Sequence, residues 1–214
     1  MNYKYIFKAV AVSTVSAFFC IGCGGGDDGG GGEKPVDPNN PNNGGGGGSN
    51  CSANFRTIKI GTQTWMAENL NCNLEGSKCH ENSADSCAKY GRLYNWEDAK
   101  KACPAGWHLP DTTEWNTLVD FAGGLETAGK KLQATSGWYD NDNGTDDYGF
   151  AALPGSFGDS RGGFGPAGHD GYWWSATEYS AYDAWGLYMS RNFDAVVLDG
   201  IFKTSFLSIR CVAD

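Results

Sequence analysis

Basic residues are scarce in this sequence, and it contains no long apolar run. Its 214 residues include 16 Lys and Arg against 25 Asp and Glu, which gives a formal net charge of −9. Such an acidic chain repels nucleic acid, which is therefore excluded as a partner. The apolar run at residues 9–21 is too short to cross a bilayer as a stable anchor, which disfavours a retained transmembrane helix.

The first 23 residues are typical of an export signal, with Lys4 and Lys8 ahead of the apolar run. The stretch Cys20-Ile21-Gly22-Cys23 resembles the bacterial lipobox, although Cys20 stands where leucine is usual. The resemblance implies that Cys23 is diacylated and becomes the N-terminus of a lipoprotein held at the outer membrane or cell surface. The alternative is an ordinary secretory signal that leaves Cys23 as a thiol.

Residues 24–50 are mostly Gly, Asn, Pro and Asp, with Val36 as the single apolar side chain. This segment cannot bury enough surface to offset its conformational entropy, so we expect a disordered tether. A Gly-rich coil of this length separates its ends by roughly 30 Å on average. All eight tryptophans follow the tether, which predicts one globular domain over residues 51–214.

The exported part contains an even number of cysteines, which predicts three disulfides in an oxidising compartment. They are Cys51, Cys72, Cys79, Cys87, Cys103 and Cys211. The number of cysteines does not choose among the many possible pairings. Zinc binding by three of them with His80 is disfavoured, because the six-residue gaps lack the close C-x-x-C pairs of structural zinc sites.

Hydrophobic periodicity predicts helices early in the domain and short strands late. A β-hairpin is expected at Thr57–Ile60 and Gln63–Met66, and a helix from the N-cap Asp111, with Glu114 completing a capping box, to Gly123. Further helices are expected at 97–102 and 125–134, and strands at 90–96, 150–153, 172–176, 184–189, 195–198 and 206–212. This order predicts an α+β domain with long loops.

Six motifs in the domain together resemble the Fibrobacter succinogenes major paralogous domain, a family of exported bacterial proteins of largely undefined function. The motifs are Trp65-Met66-Ala67-Glu68-Asn69-Leu70, Lys89-Tyr90-Gly91-Arg92-Leu93-Tyr94-Asn95-Trp96, Cys103-Pro104-Ala105-Gly106-Trp107-His108-Leu109-Pro110, Asn143-Gly144-Thr145-Asp146-Asp147-Tyr148-Gly149-Phe150, Trp174-Ser175-Ala176-Thr177-Glu178 and Ser208-Ile209-Arg210-Cys211-Val212. The resemblance covers residues 52–214.

Trp107-His108-Leu109-Pro110, followed by Thr113-Glu114-Trp115, is also similar to the formylglycine-generating enzymes, which share a C-type-lectin-like architecture. The similarity implies a fold but not the activity, because no cysteine lies between Cys103 and Cys211 to supply the late copper-binding pair of those enzymes. The domain-closing bridge of lectin-like folds implies Cys103–Cys211. Short spacing favours Cys79–Cys87, and Cys51 is then left with Cys72.

Four aspartates, Asp140, Asp142, Asp146 and Asp147, lie within eight residues of one polar segment. Carboxylates on such a loop are the ligands that Ca²⁺ prefers, so the segment is a candidate calcium site. It is not an EF-hand, since Gly144 stands at a ligand position of that motif and no glutamate closes the loop. The alternatives are a solvated loop and an acidic turn held by backbone amides.

Aromatic residues near polar loops make carbohydrate binding a hypothesis for the second half of the domain. Trp138, Tyr172, Trp173 and Trp185 are the candidate stacking residues, with Tyr139, Trp174, Tyr179 and Tyr182 nearby in sequence. The alternative is that these rings fill the core. Trp173 and Trp174 cannot both face one side of a strand.

Two other features of the sequence give weaker indications of a catalytic role. Gly158-Asp159-Ser160-Arg161-Gly162 matches a nucleophile-elbow pattern, but the glycines after Ser160 disfavour the helix that an elbow requires. His108 lies in an apolar stretch and is expected to be packed and hydrogen-bonded rather than a catalytic base, and His169 carries no signal.

Three hypotheses follow, and the first is preferred. It is a non-catalytic binding or adhesion module for polysaccharide or another surface ligand, without a resident cofactor unless calcium binds. The second is an enzyme, either a divergent relative of the formylglycine-generating group or a hydrolase using Ser160. The third is a structural surface protein.

Lipid attachment at Cys23 can be tested directly. If Cys23 carries the lipid, Cys23→Ala removes the anchor, and the protein is expected to leave the membrane fraction. Fractionation of cells followed by immunoblotting measures this. A Cys23→Ala protein that stays in the membrane fraction would show that the lipobox interpretation is wrong.

Overall fold

A computed structural model describes residues 55–214; the predicted signal, the tether, Cys23 and Cys51 lie outside them. The strands are β1 (Thr57–Ile60), β2 (Gln63–Met66), β3 (Trp107–His108), β4 (Asp170–Glu178), β5 (Asp183–Ser190), β6 (Val196–Phe202) and β7 (Val212–Ala213). The helices are α1 (Ala84–Tyr90), α2 (Trp96–Ala102), α3 (Thr112–Phe121) and α4 (Ala128–Leu132). The predicted α+β class is confirmed. No helix in the described range is long and apolar enough to cross a membrane.

The strands form two antiparallel sheets. The four-stranded sheet has the order β1-β2-β7-β3, and the three-stranded sheet has the order β4-β5-β6. The predicted hairpin of β1 and β2 is confirmed, with Ile60 opposite Gln63 across a tight turn at Gly61. The last strand, β7, is inserted between β2 and β3, so it holds the first and middle parts of the domain together.

Side-chain caps fix where the two best-predicted helices begin. Asp111 accepts a hydrogen bond from the backbone of Glu114, whose side chain accepts one from the backbone of Asp111, so the capping box of α3 is present. Asn95 caps α2 through the amide of Asp98. These local contacts explain why both helices could be predicted from sequence.

The sheet of β4, β5 and β6 separates two hydrophobic cores. Trp173, Leu187 and Met189 lie in one core, whereas Trp174 and Ala184 lie in the other. Neighbouring strand residues point to opposite faces, so Trp173 and Trp174 are both buried although they face opposite ways. Helix α3 packs in the first core and α2 in the second.

Two disulfides join described residues, and both match the expected pairings. Cys103–Cys211 closes a loop with a sequence separation of 108 and fixes the segment before β7 to the end of α2. A loop of that length stabilises the fold by about 4 to 5 kcal/mol on the chain-entropy model. Cys79–Cys87 closes a short loop before and within α1. Cys72 is also disulfide-bonded, while its expected partner, Cys51, lies outside the described residues.

A buried polar network around Arg210 connects four of the sequence motifs. The guanidinium donates to the side-chain carbonyl of Asn69 at 2.9 Å and to the backbone carbonyl of Phe150. The same Asn69 oxygen accepts from the indole of Trp173 at 2.8 Å, and its amide donates to the carbonyl of Tyr90 at 2.9 Å. Arg210 is fully buried, so these acceptors replace the water that it loses on folding.

Several predicted elements differ from the structure. Residues 90–96 are not a strand: Gly91, with a φ of 78°, ends α1, and Asn95 begins α2. Residues 150–153 and most of 206–212 make isolated bridges rather than a strand, because their backbone groups bond to loops and to β4. The helix expected at 125–134 is shorter, since α4 covers Ala128–Leu132.

Removal of the Asn69 side chain is expected to destabilise the domain strongly. Asn69→Ala deprives the buried Arg210 and Trp173 of their shared acceptor, which should lower the free energy of unfolding by about 3 kcal/mol or more. Asn116→Ala, on the exposed side of α3, is the matched control and should change it by less than about 0.5 kcal/mol. Urea unfolding of the oxidised proteins measures both. Equal midpoints for the two variants would contradict the role given to the network.

Candidate functional site

Four aromatic side chains form an exposed aromatic patch at one end of the three-stranded sheet: Tyr179, Tyr182, Trp185 and Phe202. Tyr182 is 78% exposed, Phe202 66% and Tyr179 51%. The rings of Tyr179 and Trp185 meet edge to face, with centroids 4.7 Å apart. Phe202 pairs across the sheet with Asp183, the neighbour of Tyr182, so the four residues lie close together.

A glycine makes room for the central ring of the aromatic patch. Gly200 lies opposite Trp185 on β6, and a Cβ added to it would come within 2.7 Å of the Tyr179 ring. Tyr179 therefore rests on the bare backbone of β6, which holds it beside Trp185. The neighbouring Lys203 is ion-paired with Glu178 and donates to the carbonyl of Ala181 at 3.0 Å, which ties the β4–β5 turn to the end of β6.

A shallow groove of about 610 Å³ lies beside the last residues of β4. It is lined by Lys100, His108, Leu109, Asp111, Thr113, Glu114 and Ala176. Ala176 precedes Tyr179 by three residues, so the Cα atoms of these two residues lie at most roughly 10 Å apart. Trp96 lies between them, with Lys100 3.9 Å and Lys203 4.8 Å from its ring centroid.

His108, at the wall of this groove, bonds a carboxylate with each ring nitrogen. Nδ1 lies 2.7 Å from Asp214 and Nε2 lies 2.8 Å from Glu114. Only a doubly protonated imidazole donates from both nitrogens, so this geometry fits the imidazolium. Burial alone lowers the pKa of His108, but the hydrogen bonds to Asp214 and Glu114 outweigh it and hold the pKa above its usual value. The hydrogen bonds expected for His108 are present, but its side chain is 41% exposed rather than packed.

The structure corrects two of the four predicted stacking residues. Trp138 and Trp173 are 3% and 0% exposed, and their indoles donate to Ala152 and Asn69 inside the domain, so neither offers a face to a ligand. Tyr172 is half-buried and stacks on Tyr188 at 4.7 Å. Trp185 alone of the four belongs to the aromatic patch.

The four aspartates of the predicted calcium site do not converge. Asp140 pairs with Arg191, Asp142 lies 4.0 Å from Lys130, and Asp146 accepts from the amide of Ala151 at 2.7 Å. No three His, Cys, Asp or Glu side chains of residues 55–214 are grouped to hold a metal ion. The Asp146 contact fits the alternative of an acidic turn held by backbone amides. The calcium hypothesis therefore gains no support here, for Asp147 or for the other three.

Ser160 lies in an exposed turn and not at the start of a helix. The Asp159 carboxylate accepts from the amides of Arg161 and Gly163, which closes this turn. These amide bonds lower the pKa of Asp159. The described residues provide no histidine bonded to Ser160, and the elbow geometry is not present.

Phe202 of the aromatic patch and Lys100 of the groove were not among the site residues predicted from the sequence. Phe202 ends a strand that was predicted to stop at residue 198, and only the pairing of β5 with β6 brings it to the patch. Lys100 lies on a correctly predicted helix, but its proximity to Ala176 depends on the packing of α2 against β4. No local sequence signal identifies either residue.

The His108 cluster predicts a dependence of stability on pH. Because folding raises the pKa of His108, its contribution is fully present below about 6.5, the unfolded value, and is lost as the pH rises through the folded value. We expect NMR titration of the imidazole to give a pKa above 6.5, and Glu114→Gln to lower it. Glu97→Gln, which removes an exposed carboxylate paired with Lys100, is the control and should leave it unchanged. A folded-state pKa at or below the unfolded value would contradict this account.

Comparison with known proteins identifies the domain. Residues 58–213 match the model of the Fibrobacter succinogenes major domain, which covers nearly all of the described residues. No curated protein and no solved structure matches the chain. The similarity to the lectin-like architecture stays a prediction, whereas the family predicted from the six motifs is confirmed. The chain belongs to the Fibrobacter succinogenes major domain family.

Proposed function

We propose that this protein is a non-catalytic binding module for polysaccharide, exported and lipid-anchored through Cys23 at the outer membrane or cell surface. The aromatic patch is the ligand-binding surface, and the groove beside it receives a neighbouring part of the same chain of sugars. Trp185 retains the stacking role expected from the sequence, with Tyr179, Tyr182 and Phe202 as its partners.

The exposure of the aromatic patch is the observation that carries this proposal. Most aromatic side chains of the described residues are buried or half-buried, but Tyr182 and Phe202 leave more than half of their surface in water. Exposing such rings together is unfavourable unless a partner covers them, so a cluster of this kind marks an interaction site. Flat rings with an apolar face and a polar rim suit the faces of sugar rings.

The polar groups around the aromatic patch support a hydroxyl-rich ligand. Lys203, Glu178 and Asp183 border the rings, and the groove adds Thr113 and Lys100. These groups present both donors and acceptors within reach of a ligand that lies across the rings. A ligand with many hydroxyl groups can use both kinds.

The non-catalytic part of the proposal rests on how the reactive side chains are engaged. Both nitrogens of His108 face carboxylates, so neither is free to accept a proton from a substrate. Ser160 lies in an exposed turn, apart from that cluster. The groove therefore offers binding groups without an activated nucleophile.

The first experiment is an array of plant and bacterial polysaccharides probed with the full chain. We expect retention on one class of glycan, and at least about tenfold weaker binding for Tyr182→Ala, since aromatic contacts dominate such surfaces. Gly200→Ala provides an independent variant, because its methyl group would push the Tyr179 ring off β6. Both substitutions lie at the surface, and circular dichroism checks that the fold is retained.

Phe121→Ala is the matched control, because Phe121 is also about half exposed but lies on α3, outside the aromatic patch. It should bind like the wild type. If the folded, oxidised protein binds no glycan on the array, the result would contradict the proposal and favour a protein partner or a structural role. Turnover of a substrate, lost in Ser160→Ala, would instead favour an enzyme.

A further inference from the structure

A second cluster of polar and aromatic side chains lies at the opposite end of the three-stranded sheet. Tyr139, His169 and Arg191 meet where β5 ends, and the eight residues of β5 separate them from the aromatic patch by roughly 25 Å. The cluster is distinct from the site of the proposed function, and nothing in the sequence motifs identifies it.

The three side chains are held against one another. The ring of Tyr139 stacks on that of His169, with centroids 4.8 Å apart and an interplanar angle of 24°. The guanidinium carbon of Arg191 lies 5.0 Å from the Tyr139 centroid, and its backbone amide donates to the carbonyl of His169 at 3.0 Å. The amide of Tyr139 donates to the carbonyl of Gly168 at 2.8 Å, which fixes the loop that carries the ring.

Several hydrogen-bonding groups of this cluster have no partner among the described residues. The Nε of Arg191 is buried without an acceptor. Of the three histidines, His80 and His108 are hydrogen-bonded through their rings, whereas the ring of His169 bonds no described residue. A buried donor left unpaired costs about 1 to 3 kcal/mol, so the fold alone does not satisfy the Arg191 side chain, part of which still faces water.

Asp140 shows which chemical group the Arg191 guanidinium donates to. Its carboxylate lies 3.5 Å from Nη1 of Arg191, which is longer than a good charged hydrogen bond. Asp140 has a φ of 58°, in the left-handed region, where it is held by the loop rather than by the guanidinium. The guanidinium thus already faces one loosely placed carboxylate and keeps donors for another.

We propose that Tyr139, His169 and Arg191 form a binding site for a carboxylate-bearing sugar, such as a uronic acid. The carboxylate accepts from the Arg191 guanidinium in competition with Asp140, and the sugar ring lies against the exposed part of Tyr139, which is 52% exposed. His169 donates to the same carboxylate or to an adjacent hydroxyl. A singly charged carboxylate suits an acidic domain better than a phosphate, because it adds less charge to a negative surface.

Isothermal titration of the full chain tests this site with three probes: glucuronate, glucose and inorganic phosphate. We expect binding of glucuronate, with glucose and phosphate at least about tenfold weaker. Arg191→Gln should weaken glucuronate binding by about tenfold or more, since it removes the charged donor. Arg56→Gln, which changes an exposed arginine paired with Glu68, is the control and should have no effect.

Asp140→Asn supplies the opposite result. The substitution removes the competing carboxylate, and asparagine tolerates the left-handed backbone at this position, so affinity for glucuronate should rise. Misfolding of a variant cannot produce such a gain. Equal binding of glucose and glucuronate, tighter binding of phosphate, or unchanged affinity in both variants would overturn the proposal. Array binding through the aromatic patch is measured separately, so either proposal can fail without the other.

Discussion

The burial of the Arg210 guanidinium is the constraint on which the rest of the domain depends. A cation removed from water is costly unless oxygen atoms surround it, and here those atoms come from Asn69 and from the carbonyls of Phe150 and Ala151. Burial lowers the pKa of Arg210 to about 9, which still leaves it charged at neutral pH. The segment after β2, the loop before Phe150 and the segment before β7 must therefore meet at one point. The left-handed backbone of Ala151, with a φ of 50°, is part of the bend that aims its loop at the guanidinium.

The position of the three-stranded sheet decides where the surface of the domain can carry function. Because a core covers each of its faces, rings such as Trp173 and Trp174 are used for packing on opposite sides of β4. The two ends of the sheet carry aromatic residues in contact with water. One end carries the aromatic patch around Trp185, and the other carries Tyr139 beside Arg191. The two proposed sites thus follow from the same division of the interior into two cores.

The elements that the sequence predicts correctly are those whose decisive contacts are local. The β1–β2 hairpin and the capping box of Asp111 and Glu114 depend on residues a few positions apart, and both were predicted correctly. The strand predicted at residues 90–96 is wrong, because the apolar pattern there comes from the end of one helix and the start of another. Leu93 and Tyr94 form bridges to distant segments instead. Trp138 was misassigned for a related reason, since a tryptophan near polar loops can equally fill a core, and its hydrogen bond to Ala152 is not visible in the sequence. Tertiary packing, which single-sequence patterns do not encode, determines both.

The motifs that carry the family resemblance describe mainly the interior. Ser208-Ile209-Arg210-Cys211-Val212 is entirely buried, and Asn69 and Trp174 of two other motifs contact it or the second core. The side chains of the two proposed sites mostly lie outside these motifs. The Arg210 network and Cys211 thus belong to the motifs that carry the family resemblance, whereas most side chains of the two proposed sites do not. Because function resides in the site rather than in the fold, membership of this family alone assigns no ligand, and the proposed ligands depend on the residues at the two ends of the sheet.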